Sequence, residues 1–319
     1  MRSDAMKRAF VLGAVVMVVA VGGFGAMGQE AEAAGPLDLR AIWRVDQLSK
    51  YRITQSETTT TTASMLAEPR VVTMNYIVDV AWRVLEAAEG GGGKAEMRTE
   101  DVRVEVISPD GETLTATASG ADEGLDAYRL WAEAMTSAGV ELTVSADGVI
   151  ESVSGVDAVK AAADPNVAEG LDEEYFKNIA LELATLTGGS ESVSIGDTWE
   201  GSHETDHQFG RLTIDTTYRL DGFEEISGIG VAYVSTESQI TLDPEAPAVP
   251  PGVPAPEVEL TDSSASGTLV FDMTRHELVG GNSNQTIEVT VTITPPDGPG
   301  IDVVTREVTS VKLLRTAEE

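Results

Sequence analysis

His203-Glu204-Thr205-Asp206-His207 is the stretch of this chain whose residue types and spacing advertise chemistry. On a helix, imidazoles at i and i+4 share a face and can grip one zinc ion, while the glutamate activates a bound water for hydrolysis. The flanks argue against a helix. Gly201 precedes the pair and Gly210 follows it. Downstream, Leu212, Ile214, Thr216, Tyr218 and Leu220 alternate with Thr213, Asp215, Thr217 and Arg219, the period of a strand. An extended chain sets the two histidine Cα atoms about 13 Å apart, too far for one metal at ~2 Å from each ring. Asp206 also places a charge where such zinc hydrolases tend to keep an uncharged residue. The spacing therefore predicts histidines on a polar surface strand, with no metal and no catalytic role. A zinc-dependent hydrolase through His203, Glu204 and His207 is the minor alternative.

The remaining catalytic patterns are missing from the sequence. There is no G-x-S-x-G elbow, no G-x-x-x-x-G-K-[ST] loop and no G-x-G-x-x-G opening a helix. Gly90 to Gly93 reads as a hairpin loop between strands. The chain has no cysteine, which removes disulfides, thiolate metal sites, a cysteine nucleophile and the lipobox of a lipoprotein. With 53 acidic against 21 basic side chains, the net charge of −32 repels nucleic acid and anionic membrane. The acids are scattered, and no glycosidase-type pair stands out among them. No cofactor is implied.

The start of the chain gives an address. Arg2, Lys7 and Arg8 precede an uncharged run over residues 9–29, closed by the small-x-small site Ala26-Met27-Gly28. That order is a signal peptide over residues 1–28, with export to the periplasm or beyond; an N-terminal membrane anchor is the alternative. Residues 29–42 are expected to be a flexible lead-in, and 43–316 a single β-rich domain.

The elements that must position any site are mostly strands. Over residues 72–84 every even position is apolar, including Val72, Met74, Tyr76, Val78, Val80 and Trp82. Residues 48–64 read as its hairpin partner. Val102, Val104 and Val106, and then Ile287, Val289, Val291 and Ile293, repeat the pattern. Turns are predicted at Pro109-Asp110-Gly111, Asp147-Gly148, Asp221-Gly222, Gly280-Gly281 and 295–300. One wet and one apolar face imply antiparallel sheet. Two helices interrupt it, over 122–138 and 172–187, with a shorter Ala-rich piece over 156–163. Six prolines within residues 244–256 read as an exposed loop between neighbouring strands. The expected fold is α+β and β-dominated: a long, curved, half-barrel-like antiparallel sheet with two or three helices packed on it.

Three segments carry a resemblance: Asp147-Gly148-Val149-Ile150-Glu151-Ser152-Val153, Ser194-Ile195-Gly196-Asp197-Thr198-Trp199 and Ser266-Gly267-Thr268-Leu269-Val270-Phe271-Asp272. In this order, after an exported N-terminus, the chain resembles a family of uncharacterised exported bacterial proteins of unknown function. The long-stranded arrangement is also similar to LolA/LppX-like lipoprotein carriers, in which a curved sheet wraps around helices and shelters acyl chains. The resemblance implies an exported, non-enzymatic envelope protein holding an apolar ligand or lipid between sheet and helices. The helix stripes Leu125, Tyr128, Met135, Phe176, Ile179 and Leu183 are the candidate lining. A structural module meeting other envelope proteins is the alternative. The sequence sets no oligomeric state.

Overall fold

The alternation over residues 72–84 becomes a strand of 18 residues, about 60 Å from end to end. In this computed structural model, residues 36–39, 42–88, 92–145, 148–184, 192–245, 255–294 and 300–316 are described. The signal segment lies outside them, as do most of the proline-rich loop and of 295–300.

The first half of the chain is β1 (Leu48–Ala63), β2 (Arg70–Ala87), β3 (Gly93–Ile107), β4 (Thr113–Thr117) and β5 (Gly120–Ala121), then α1 (Asp126–Ser137), β6 (Val140–Val144) and β7 (Ile150–Ser154). Helices α2 (Val156–Ala162), α3 (Pro165–Ala168) and α4 (Glu173–Ala184) follow. The second half is β8 (Thr198–His207), β9 (Gly210–Ile226), β10 (Ile229–Pro244), β11 (Glu257–Asp272), β12 (Glu277–Ile293) and β13 (Ile301–Thr316). Among the described residues, all 13 strands join one sheet, in the order β5-β4-β3-β2-β1-β13-β12-β11-β10-β9-β8, with β6 added on β3 and β7 on β6. Every ladder is antiparallel. The two strands that flank the proline-rich segment, β10 and β11, pair with each other.

The sheet rolls up strongly. Between β13 and β8 lie five inter-strand steps, which would separate them by about 24 Å in a flat sheet. Instead, His207 Nε2 on β8 lies 3.1 Å from Glu307 Oε2 on β13. Accumulated strand twist and bulges at Tyr233/Val234, Leu260/Asp262 and Val270/Phe271 supply the curl.

Two of the predicted turns are bulges. Asp221-Gly222 lies inside β9, where Gly222 pairs with Tyr233 and Leu220 with Val234, so Asp221 is the extra residue. Gly280-Gly281 lies inside β12, beside the register shift that leaves Val279 unmatched. The chain actually turns at Ser227-Gly228 and at residues 273–276, through positive φ at Ser227, Gly228 and His276. Glycine relieves the steric cost of a bulge as it does that of a turn, and sequence alone does not separate the two. Of the glycine run, Gly92 and Gly93 are described, and both are closely packed. A Cβ on Gly93, where φ is +135°, would lie 2.0 Å from the Glu86 carbonyl oxygen.

Helix α1 begins later than the acidic signal suggests. The Asp122 carboxylate accepts a bond from the Thr115 amide (2.7 Å) and so ties the preceding turn to β4. Helix α4 starts as expected, with Asp172 accepting from the Tyr175 amide (2.8 Å); the predicted residues 185–187 lie outside those described. Helix α3, a single turn capped by Asp164, was not signalled.

Helices and sheet bury one large cluster. Tyr76 and Trp131 meet edge to face at 6.1 Å, and Trp131 Nε1 donates to the Tyr175 hydroxyl (3.1 Å), joining α1 to α4. Phe271, Leu220, Val234 and Leu313 carry the cluster across the roll. A second apolar cluster is separate: Leu212, Ile214, Ile240, Ala265, Ile287, Val289 and Val291, where strands β9 to β12 curl over their own inner face.

Candidate functional site

Residues directly opposite on neighbouring strands face the same side, so register alone names the inward positions. Gln55 is opposite Val311 and Val311 opposite Ser283; Glu57 is opposite Thr309 and Thr309 opposite Gln285. On the far side of β1, Gln55 meets Tyr76 and Glu57 meets Met74. Tyr51 and Ile53 show that this face is the buried one. A polar band therefore crosses the inner wall between the two apolar clusters. Thr216 and Ser238 extend it across β9 and β10, with their hydroxyls 2.8 Å apart.

Glu57 is the chemical centre of the band. It is 7% exposed. Burial first, and the neighbouring Glu307 carboxylate second, push its carboxyl up to about 7, against the pull of the Thr59 hydroxyl that donates to it (3.3 Å). Glu307 is held from the other wall of the roll, by His207 and by Gln208 Nε2, which donates to Oε1 at 2.7 Å. Above the band, the hydroxyls of Tyr76 and Tyr128 approach the Met74 sulfur at 3.7 and 3.8 Å. Burial pushes Tyr128 up to about 12, with Glu57 adding to it. Three buried polar atoms in the band have no partner: Gln55 Oε1, Ser283 Oγ and Gln285 Nε2.

The histidine pair lies on a strand, as its flanks predict, but it does not face solvent. His203 is opposite Ile214, and Thr205 opposite Leu212, both fully buried, so the odd residues of β8 point into the roll. Desolvation depresses the His203 pKa. Asn178 of α4 reaches the same face and donates to Thr205 Oγ1 (3.3 Å). Two histidines four apart on one strand stay about 13 Å apart at Cα. Among the described residues, no group of three or more His, Asp or Glu is arranged to hold a metal. Metal analysis of protein from its native host is expected to find no stoichiometric zinc. One zinc per chain, lost in His203→Ala, would overturn this.

The predicted lining residues divide. Leu125, Met135, Phe176 and Ile179 are buried in the helix–sheet cluster, while Tyr128 is partly buried and alone among them approaches Glu57. The Leu183 side chain lies outside those described. Gln55, Glu57, Ser283, Gln285 and Glu307 were not foreseen. Their signal was present, because Gln55 and Glu57 occupy the parity that Tyr51 and Ile53 set as apolar.

Band and roll together define a class of protein: an antiparallel sheet curled on itself, its interior apolar in two layers with a polar band between. No protein-family model matches the sequence, and no curated protein matches it significantly. Among solved structures, DynF from the dynemicin biosynthesis pathway of Micromonospora chersina is 8% identical over 92% of this chain and 95% of that one, with a TM-score of 0.21. A DUF1329 family protein from Desulfovibrio piger is 9% identical, covering 84% and 87%, at 0.12. OccK5 (OpdH) of Pseudomonas aeruginosa is 7% identical, covering 86% and 99%, at 0.20. Likenesses this low bear on neither function nor mechanism.

Proposed function

We propose that this is an exported, non-enzymatic envelope protein whose rolled sheet shelters a ligand with an apolar body. The observation that supports the reading is the trio of partnerless polar atoms buried between two apolar clusters. A dry core built only for stability loses about 1–3 kcal/mol for each such group, and evolution readily replaces them with aliphatic residues. A site that receives a ligand's polar group has reason to keep them. The export address is read from the start of the chain, and the resemblance to lipoprotein carriers drawn from the sequence pattern would suit an apolar cargo.

Native mass spectrometry of protein from its own host reads both parts. The expected mass is that of a chain starting near Gln29 plus a dissociable apolar molecule. In parallel, stripped protein is expected to bind the neutral probe N-phenyl-1-naphthylamine saturably, one per chain. A bare-chain mass together with no saturable probe binding would sink the reading. It would favour a structural or protein-interaction module, for which the exposed Met65, Leu66 and Val71 around the β1–β2 tip offer a contact surface.

A further inference from the structure

We infer that the polar band is a headgroup site, and that the group it receives is a primary ammonium carried on an apolar body. This rests on the sheltering role proposed above and gives it a chemistry.

Three independent features point the same way. The first is the partnerless trio. Gln55 and Gln285 are each 4% exposed and Ser283 is 1% exposed; Gln55 on β1 and the other two on β12 share one face of the sheet, with Val311 and Thr309 of β13 between them. Amide oxygen, hydroxyl and the nearby carboxylates are acceptors, and an ammonium brings three donors and no acceptor. Gln285 Nε2 remains to steer a water or a second polar atom of the ligand.

Charge is the second feature. Glu57 and Glu307 share this face, and the inward positions of β1 from Tyr51 to Ala63, of β13 from Val303 to Leu313 and of β12 from Gly281 to Val291 hold no lysine or arginine. The inward Arg315 lies beyond them and is bound to Glu277 at 3.3 Å. On these three strands an anionic headgroup would meet two carboxylates and no lysine or arginine. Among the described residues no group of three or more His, Asp or Glu is arranged to hold a metal, and the cation taken up in this proposal is an organic one.

The third is shape. Inward positions beside the trio are Ala265 and Gly267 on β11 and Gly281 on β12, which take up little of the interior. Next to them the wall turns apolar at Ile287, Val289, Leu212 and Ile214, a surface for a hydrocarbon chain.

The groups facing Glu57 set the pH response. They are Thr59 on β1, Glu307 on β13, Tyr76 on β2 and Tyr128 on α1, with His207 and Gln208 on the far side of Glu307. Glu57 titrates at about 7, so its charge, and with it the hold on an ammonium, grows as pH rises through neutrality.

Calorimetric titration of the mature protein with octylamine, octanol and octanoate tests this. Salt at 0.3 M screens the acidic outer surface. Octylamine is expected to bind one per chain, at least about tenfold tighter than octanol, with octanoate weakest. Its affinity should rise several-fold from pH 6 to 8. Glu57→Gln and Glu307→Gln should each lose about tenfold toward octylamine and nothing toward octanol. Exposed Glu259→Gln should change neither. Equal binding of the three ligands overturns the ammonium site and leaves the sheltering role standing. Binding of none overturns both. Octylamine uptake at many sites that salt abolishes is ion exchange at the surface and overturns the ammonium site. If a glutamine variant fails to fold, the wild-type ligand ranking and pH response still decide.

Discussion

Trp82→Asp is expected to remove more than about 4 kcal/mol of stability, a large share of the roughly 5–15 kcal/mol of an ordinary domain. Trp82 is 7% exposed on the inner face of β2, opposite Ser49 on β1 and Met97 on β3. It meets Trp43 edge to face at 5.8 Å, which ties the turn ahead of β1 to the sheet. Aspartate there loses the apolar burial of an indole and buries a carboxylate on a face shared with Ser49 and Met97. Guanidinium unfolding followed by tryptophan fluorescence measures the loss, and Trp82→Phe should retain most of the stability. An aspartate variant within 1 kcal/mol of wild type would mean that the inner face is wet.

Glu57→Gln should have the opposite sign. The ordinary glutamate value is 4.5 and Glu57 stands at about 7, so the folded protein holds this proton more tightly than the unfolded chain. Its contribution to stability is therefore fully present below about 4.5 and is lost as pH rises through 7. The span corresponds to roughly 3 kcal/mol. Glutamine carries no charge at any pH, so the variant should match wild type near pH 4.5 and exceed it by up to about 3 kcal/mol at pH 8.5. Urea midpoints at the two pH values decide it. A variant less stable than wild type at pH 8.5 would show that the carboxylate is stabilised in the fold, not strained by it.

The strands were legible because one face of each is buried. Leu212, Ile214, Tyr218 and Leu220, and likewise Val102 and Val104, alternate cleanly and are buried in the fold. Strand β8 gave no such reading. It is an edge strand with polar residues on both faces, so its parity, and with it the inward direction of His203 and His207, follows only from the partner Leu212 and Ile214. The roll itself is a sum of twists and bulges over many strands, and no local pattern encodes a contact as remote as His207 with Glu307. The polar band was legible in part. Gln55 and Glu57 break the alternation of β1, as Ser283 and Gln285 do ahead of Ile287, but a polar residue at an apolar parity equally describes a strand leaving the core. Only the register across β12, β13 and β1 places the four together.

The sheet order has a consequence for how the molecule is made. Strands β1 to β5 are neighbours in the order in which they are synthesised, and so are β8 to β13. Each half can zip up hairpin by hairpin as a local, low-contact-order meander. The ladder that joins them pairs Lys50 with Thr316 and Ala63 with Val303, across most of the sequence. Until residues 301–316 have been made, β1 presents an open edge whose rightful partner does not yet exist, and unpaired edges recruit other chains. Glu57 sits on that waiting strand. The band that it centres cannot assemble in a partly synthesised chain, and closing this join is the expected slow, late step of folding.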